Sequence, residues 1–385
     1  MKTDTVKGFK DYVGNEAKKR AEIKKLMTFI FERYGFEPVE TPIIEYEDFV
    51  KGDNEKDEAV SDVFKLQDRG KRNLALRYEF TFQLKRLVKN QKLPFRRYQI
   101  GPVFRDEPVS MNRFREFTQA DVDIIGSSIK DEAEILALTR DLLKNLGIEP
   151  IIMINNRKLL NEILDSEGVK EKDREQVMRE IDKYDKLGEK EVKKNLKKYK
   201  ADNIIDLFKK GEKFFSQFES YKEVIGLVEY CKAFGVNVLF APTVVRGLSY
   251  YNGSVFEVKV KGIKETIVAG GSYMIQGIQS TGISFGLDRL ALLSKIKPKE
   301  DRYLVVSLDQ DREAIKLAQK LRIKGNIVKT FYGKPSKALE YANSYRMNKV
   351  VFVGAKEVKK KTFKVKDMKT GKEKKLTGLV IKKKK

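Results

Sequence analysis

Apolar residues recurring at three- and four-residue intervals mark the first clear element. Ile23, Leu26, Met27, Ile30 and Phe31 share one face of a helix expected over 15–34, with Asn15 as its N-cap and Gly35 as its stop. The period then falls to two. The stretch 36–46 reads as extended, and Pro38 and Pro42 suit an edge rather than a central strand. Residues 63–67 and 74–77 form a hairpin around Asp68-Arg69-Gly70, and a helix is expected from about Thr81. Tyr98, Ile100, Val103 and Phe104 alternate along one strand. Phe117, Ala120, Val122, Ile124 and Ile125 mark a second strand, and a polar loop, 106–113, joins the two as an antiparallel hairpin. An amphipathic helix follows over 131–146, stopped by Gly147, and then a buried strand over 151–154. From about 157 to 234 the pattern is helical and heavily charged, with Lys–Glu pairs at helical spacing.

After this helical stretch the apolar runs become strand-like again, up to a strand-to-helix passage at Gly286. Residues 295–300 (KIKPKE) read as a linker. Beyond it, strands at 303–308, 327–331 and 349–353 alternate with helices at 312–321 and 337–345, and a hairpin closes the pattern over 362–376. The fold class expected is α+β, with a small α/β domain at 300–385.

Composition narrows the choice of partner. The chain has 385 residues and a net charge of +24. Residues 301–385 hold 25 lysines and arginines against 8 aspartates and glutamates, so +17 of that charge lies in the last domain. This asymmetry points to a polyanion bound largely there. No run of about 18 apolar residues exists to span a membrane, and the N-terminal MKTDTVKGFKDY lacks the apolar core of a signal peptide. A soluble, cytoplasmic protein is expected. Cys231 is the only cysteine, which excludes an internal disulfide and a cysteine-based zinc site.

Histidine is absent from the chain. The commonest general base and metal ligand are therefore missing, and chemistry must rest on placed charge. The 96–126 hairpin holds five arginines, Arg96, Arg97, Arg105, Arg113 and Arg115, each a fork suited to phosphate. Neither a G-x-x-x-x-G-K-S/T loop nor a G-x-G-x-x-G fingerprint is present, so a bound nucleotide would have to be held by arginines. On charge alone, the stretch reads first as a solvated basic hairpin, since charge runs usually lie on the surface.

The order of residues adds more. Phe104-Arg105-Asp106-Glu107, a basic loop, and then Arg113-Phe114-Arg115-Glu116-Phe117 with Gln119 resemble motif 2 of the class II aminoacyl-tRNA synthetases, above all the histidyl-tRNA synthetases. Arg246-Gly247-Leu248-Ser249-Tyr250-Tyr251 resembles that family's R-G-L-D-Y-Y signature, with serine in place of aspartate. Gly282-Ile283-Ser284-Phe285-Gly286-Leu287-Asp288-Arg289 resembles motif 3, and the first helix with its proline-bearing strand resembles motif 1. Leu76-Arg77-Tyr78-Glu79 with Thr81 resembles L-R-P-E-x-T, tyrosine replacing proline, and Gly270-Gly271-Ser272-Tyr273-Met274 departs from G-G-R-Y-D.

The resemblance implies a class II antiparallel-sheet catalytic domain over 1–156 and 236–296. It implies a helical insertion over 157–235 that packs on the tRNA acceptor arm, and an anticodon-binding domain over 300–385. It implies a homodimer, built through motif 1, that activates L-histidine with ATP and Mg²⁺ and charges tRNA(His). Arg105 and Arg246 would be catalytic, on the α-phosphate. Arg113, Phe117 and Arg289 would join Arg105 in holding ATP. Glu79, Thr81, Gln119, Asp123, Arg246, Tyr250 and Tyr251 would bind histidine. Other readings stand beside these. Glu79 also fits as a cap on the following helix, Asp123 as an outward polar residue, and the tyrosine pair as core packing. The function could instead be that of a non-catalytic relative, either a regulatory subunit of ATP phosphoribosyltransferase or a tRNA-binding sensor. The regulatory relatives typically lack the anticodon-binding domain.

Overall fold

The computed structural model describes residues 2–52, 58–110, 113–245, 250–297 and 302–376. The chain divides into two compact units, 1–296 and 297–385.

The first unit opens with α1 (Gly14–Arg33), which buries Ile23, Met27, Ile30 and Phe31 as the periodicity requires. Its N-cap is Val13, not Asn15, and no side chain caps it. The strands of this unit are β1 (Glu37–Pro38), β2 (Ile44–Tyr46), β3 (Lys65–Gln67), β4 (Asn73–Leu76), β5 (Phe95–Phe104), β6 (Glu116–Ile125), β7 (Ile151–Asn156), β8 (Val238–Phe240), β9 (Tyr251–Val260), β10 (Ile263–Ile275) and β11 (Ile278–Gly286). Eight of them form one sheet in the order β1-β5-β6-β11-β10-β9-β7-β8, while β2, β4 and β3 make a small separate sheet. Every pairing from β5 to β7 is antiparallel, and the proline-bearing β1 sits on the edge, where its missing N–H costs nothing.

One face of the large sheet is covered by α1 and by the helix Ile129–Asn145, opened by a Ser128–Asp131 capping box. Alternation along β6 sends Ala120, Val122 and Ile124 into that apolar core with Ile23, Met27 and Leu136. Residues 119, 121 and 123 therefore face the other way. Helices run from Arg157 to Ala233, and the last of them, Tyr221–Ala233, packs on Ile129–Asn145 and β7.

The helix expected from Thr81 is shorter than its pattern suggests. Only Leu84–Leu87 is α-helical, followed by a 3₁₀ turn. Its start is set by tertiary bonds: the buried Gln83 amide donates to Pro42 O at 2.9 Å and to Glu45 at 2.7 Å.

The second unit contains β12 (Arg302–Ser307), β13 (Ile327–Tyr332), β14 (Lys349–Val353), β15 (Lys364–Asp367) and β16 (Glu373–Lys375), in the order β13-β12-β14-β15-β16. The first three strands in that order are parallel, and β15 and β16 add an antiparallel hairpin. Tyr303 and Val305 pack with Leu317 and Leu321 of the helix Asp311–Ile323. Leu304 and Val306 pack on the other face with Ala338 and Ala342 of the helix Pro335–Ser344. A further short helix, Ala355–Lys359, has too few apolar residues to show in the periodicity.

Candidate active site

The site is built on the face of the sheet away from α1. Register sets its rows. Gln119 lies between Gly101 and Gly286, Asp121 between Gln99 and Ser284, and Asp123 between Arg97 and Gly282. Gly286 leaves open room beside Gln119, whereas a Cβ on Gly101 would stand 2.8 Å from Arg77 Nη2. At Gly282 the room is already used, because a Cβ there would stand 2.1 Å from Asp123 Oδ1. The floor beyond is apolar: Leu84, Val88, Phe95, Ile125, Val255 and Ile275 cluster with Tyr251 and Tyr273.

Three carboxyl groups, Glu79, Asp121 and Asp123, are buried together here. Burial pushes the Glu79 carboxyl up to about 7. The nearby charges of Asp121 and Asp123 reinforce the shift, while Arg105 opposes it. Burial raises Asp121 to about 6, with Asp123 adding to it and Arg97 opposing. Burial also raises Asp123, against the pull of Arg97 and of the Tyr273 hydroxyl. A buried carboxylate persists only with partners. Arg97, fully buried, pairs with Asp123 at 2.7 Å and donates to Phe80 O at 3.2 Å. The Tyr273 hydroxyl donates to the other oxygen of Asp123. Gln119 Nε2 donates to both oxygens of Asp121, at 2.9 and 3.0 Å. Negative charge exceeds positive charge in this pocket, so it suits a cationic or donor-rich ligand.

Tyr250 and Tyr251 close the side opposite Arg97. Their ring centroids are 4.7 Å apart, and Tyr250 also meets Tyr273 at 5.6 Å. Burial raises the Tyr250 and Tyr273 hydroxyls well above their ordinary range, so both remain donors.

Arg105 stands at the mouth. Its Nε donates to Tyr78 O at 3.2 Å, and its guanidinium lies over the Phe117 ring at 5.2 Å. Part of its surface stays open, and its nearest carboxylate, Glu107, is 3.9 Å away. That leaves a cation able to take an anion above an aromatic ring. Arg113, more exposed, pairs with Glu107. Thr81 is half-buried two residues beyond Glu79.

Behind Phe117, Asp288 ties distant segments together. It accepts from Tyr12 at 2.7 Å, Arg20 at 2.5 Å and the Thr118 N–H at 3.1 Å, while Arg20 also donates to the Thr118 hydroxyl at 3.0 Å. Arg289 follows on the first turn of its helix, exposed, and donates to Thr266 O at 2.5 Å.

The expected residues Glu79, Gln119, Asp123, Tyr250 and Tyr251 thus meet in one pocket, with Arg105 and Phe117 at its mouth. Arg289 lies on the helix after β11, where its guanidinium donates to Thr266 O. Arg246 and Ser249 lie outside the described residues. Arg97, Asp121 and Tyr273 belong to the pocket and were not expected as site residues. Two-residue spacing from Gln119 and Asp123 was the available signal for Asp121. Among the described residues no group of three or more Cys, Asp or Glu is arranged to hold a metal ion.

A family model described as histidyl-tRNA synthetase matches residues 8–290, and one described as anticodon binding domain matches residues 302–378. The chain is similar to histidine–tRNA ligase 1 of Bacillus cereus, with 35% identity over 414 residues covering 97% of this chain and 95% of the relative. It is similar to histidine–tRNA ligase of Wolinella succinogenes, with 34% identity covering 96% of this chain and 95% of the relative. A solved histidyl-tRNA synthetase from Nostoc superposes with a TM-score of 0.86 at 24% identity, covering 98% of this chain and 97% of that one. An ATP phosphoribosyltransferase regulatory subunit/histidyl-tRNA synthetase from Bacillus halodurans superposes at 0.76 with 23% identity, covering 91% of this chain and 98% of that one. At these identities the two structures show the fold.

Proposed function

Because the chain belongs to the histidyl-tRNA synthetase family, we propose that it is a histidine–tRNA ligase that activates L-histidine with ATP and transfers it to tRNA(His). The observation that carries this reading is the buried carboxylate pocket opening beside Arg105. Glu79 and the Gln119 amide receive the ammonium group of histidine, with Thr81 beside them. Asp123, Tyr250 and Tyr251 meet the imidazole. Both imidazole nitrogens then find hydrogen-bonding partners, which an apolar isostere would leave unpaired.

The histidine carboxylate attacks the α-phosphorus of ATP. A carboxylate–phosphorus bond forms, the bond to the bridging oxygen breaks, and pyrophosphate leaves. Arg105 holds the α-phosphate on one side and Arg246 on the other. Their charge offsets what builds up on the phosphoryl oxygens in the transition state. Phe117 stacks on the adenine, and Arg113 and Arg289 hold the outer phosphates. Mg²⁺, bound together with ATP, would screen the charge of those phosphates. No residue of this chain is assigned as its ligand. The terminal ribose hydroxyl of the tRNA then attacks the acyl carbon and releases AMP. No step requires a protein histidine.

The +17 charge of residues 301–385 supports an RNA contact by the C-terminal domain. Residues 157–235 are read as the insertion over the acceptor arm. A homodimer is read from β1 at the sheet edge and from the exposed Ile43, Ile44 and Tyr46 nearby; equilibrium sedimentation tests it. No described helix is long and apolar enough to cross a membrane, and we place the protein in the cytoplasm.

Pyrophosphate exchange into ATP, measured with each amino acid in turn and no tRNA, tests the activation step. Exchange with histidine alone, lost in R246A and R105A, is the expected result. Folded protein giving no exchange with any amino acid would favour the regulatory-subunit reading, to which the fold of the Bacillus halodurans structure is also open.

A further inference from the structure

We propose that Asp121 is a positioning residue that holds the Gln119 side-chain amide with its carbonyl oxygen, and not its NH₂, toward the ammonium group of the bound amino acid. This rests on the reading of the pocket as the histidine site.

The argument is one of donors and acceptors. An ionised carboxylate only accepts, and an ammonium only donates. A primary amide placed between them must turn its NH₂ to the carboxylate and its oxygen to the ammonium. Turned the other way, it meets a mismatch at both ends. In the structure Gln119 Nε2 bonds both Asp121 oxygens, at 2.9 and 3.0 Å, so the carbonyl branch of the planar amide points away from Asp121. Both side chains are almost fully buried, at 6% and 4% exposure, so no solvent competes for the choice. Asp121 itself is held from the paired strand by the Ser284 hydroxyl. The charged groups around it are Asp123, Arg97 and Glu79, and none of them supplies a second fixed acceptor to the Gln119 NH₂. Asp121 therefore acts through Gln119 and does not itself touch the substrate.

The test is D121N, assayed by equilibrium binding of L-histidine and of its des-amino analogue, imidazole propionate. The change keeps the volume and removes a buried charge, so it does not threaten the fold. Asparagine can offer Gln119 either an oxygen or an NH₂, and the orientation is no longer enforced. Histidine binding is expected to weaken about tenfold or more, the scale of one hydrogen bond to a charged group. Binding of the des-amino analogue should change less than threefold. In a Q119A background the D121N change should have no further effect on histidine binding. Equal losses for both ligands, or a full D121N effect in the Q119A background, would overturn the proposal. If wild-type protein binds the two ligands equally, the histidine-site reading has failed, and that outcome is distinct from either of the others.

Discussion

R97M deletes a guanidinium from a place where neither member of its ion pair can turn to solvent. Arg97 has 0% and Asp123 4% of side-chain surface exposed, and the pair is 2.7 Å apart. With charge centres about 4 Å apart and an effective dielectric of about 20, the attraction is about 4 kcal/mol. Part of that gain is offset already, because Arg97 Nε and Nη1 have no hydrogen-bond partner among the described residues. Removing one member of such a pair typically costs about 3–5 kcal/mol, while replacing both is close to neutral. We therefore expect R97M to destabilise the first unit by about 3 kcal/mol and D123N by a similar amount. The double variant should lose much less than their sum, giving a coupling of about 2–4 kcal/mol. Urea denaturation followed by far-ultraviolet circular dichroism measures all four corners of the cycle. R97M should also push Asp123 further toward its protonated form and weaken histidine binding at neutral pH. A coupling below about 0.5 kcal/mol would refute the reasoning, since it would mean that the buried pair behaves like one on the surface.

Three other outcomes follow from the geometry. G282A places a Cβ 2.1 Å from Asp123 Oδ1 and 3.1 Å from Val122 O; calorimetry should show histidine affinity reduced at least tenfold, with stability lowered by about 1–3 kcal/mol. Glu79 is held near 7 when folded, above its ordinary value of 4.5. The unfolded chain loses this proton first, so the folded state pays an ionisation cost that grows as pH rises from about 4.5 through 7 and reaches roughly 3 kcal/mol above that. E79Q should accordingly be more stable than wild type at pH 8, nearly equal to it at pH 4, and unable to support histidine-dependent exchange; thermal unfolding across that range checks the sign. Burial pushes the Cys231 thiol up to about 12, so iodoacetamide at pH 8 should leave the native protein unmodified and label it only after denaturation.

Much of the candidate site was legible because its members fall in short motifs that resemble those of the family, and several of them lie close together in the chain. Arg105, Phe117, Gln119 and Asp123 lie on one hairpin, and Tyr250-Tyr251 at the start of another strand. What the sequence hid was the pairing of strands far apart in it. Tyr273 reaches Asp123 only because β11 lies between β6 and β10. Arg97 looked like one of five equivalent arginines until the β5–β6 register set it opposite Asp123. Asp288 read as part of a strand-to-helix motif, yet its partners are Tyr12, Arg20 and Thr118. The short helix at Leu84 was misplaced for the same kind of reason: tertiary bonds of Gln83 decided its start, and local propensity did not.

The strand order also has a consequence for how the chain is made. β11 fills the gap between β6 and β10, so the pocket has no wall on that side until residues 278–286 leave the ribosome. Synthesis from Ile125 to Ile278 takes on the order of ten seconds, and during that time β6 offers an unpaired edge. Strands in that condition invite pairing with other chains, and inward-pointing charges discourage it. Asp121 and Asp123 sit on that strand. The hypothesis is that these two carboxylates, which later help to build the pocket, first keep the nascent sheet from sticking to its neighbours. Chains stalled before residue 278 should then aggregate more readily when both residues are changed to asparagine, and equal solubility of the two stalled forms would count against the idea.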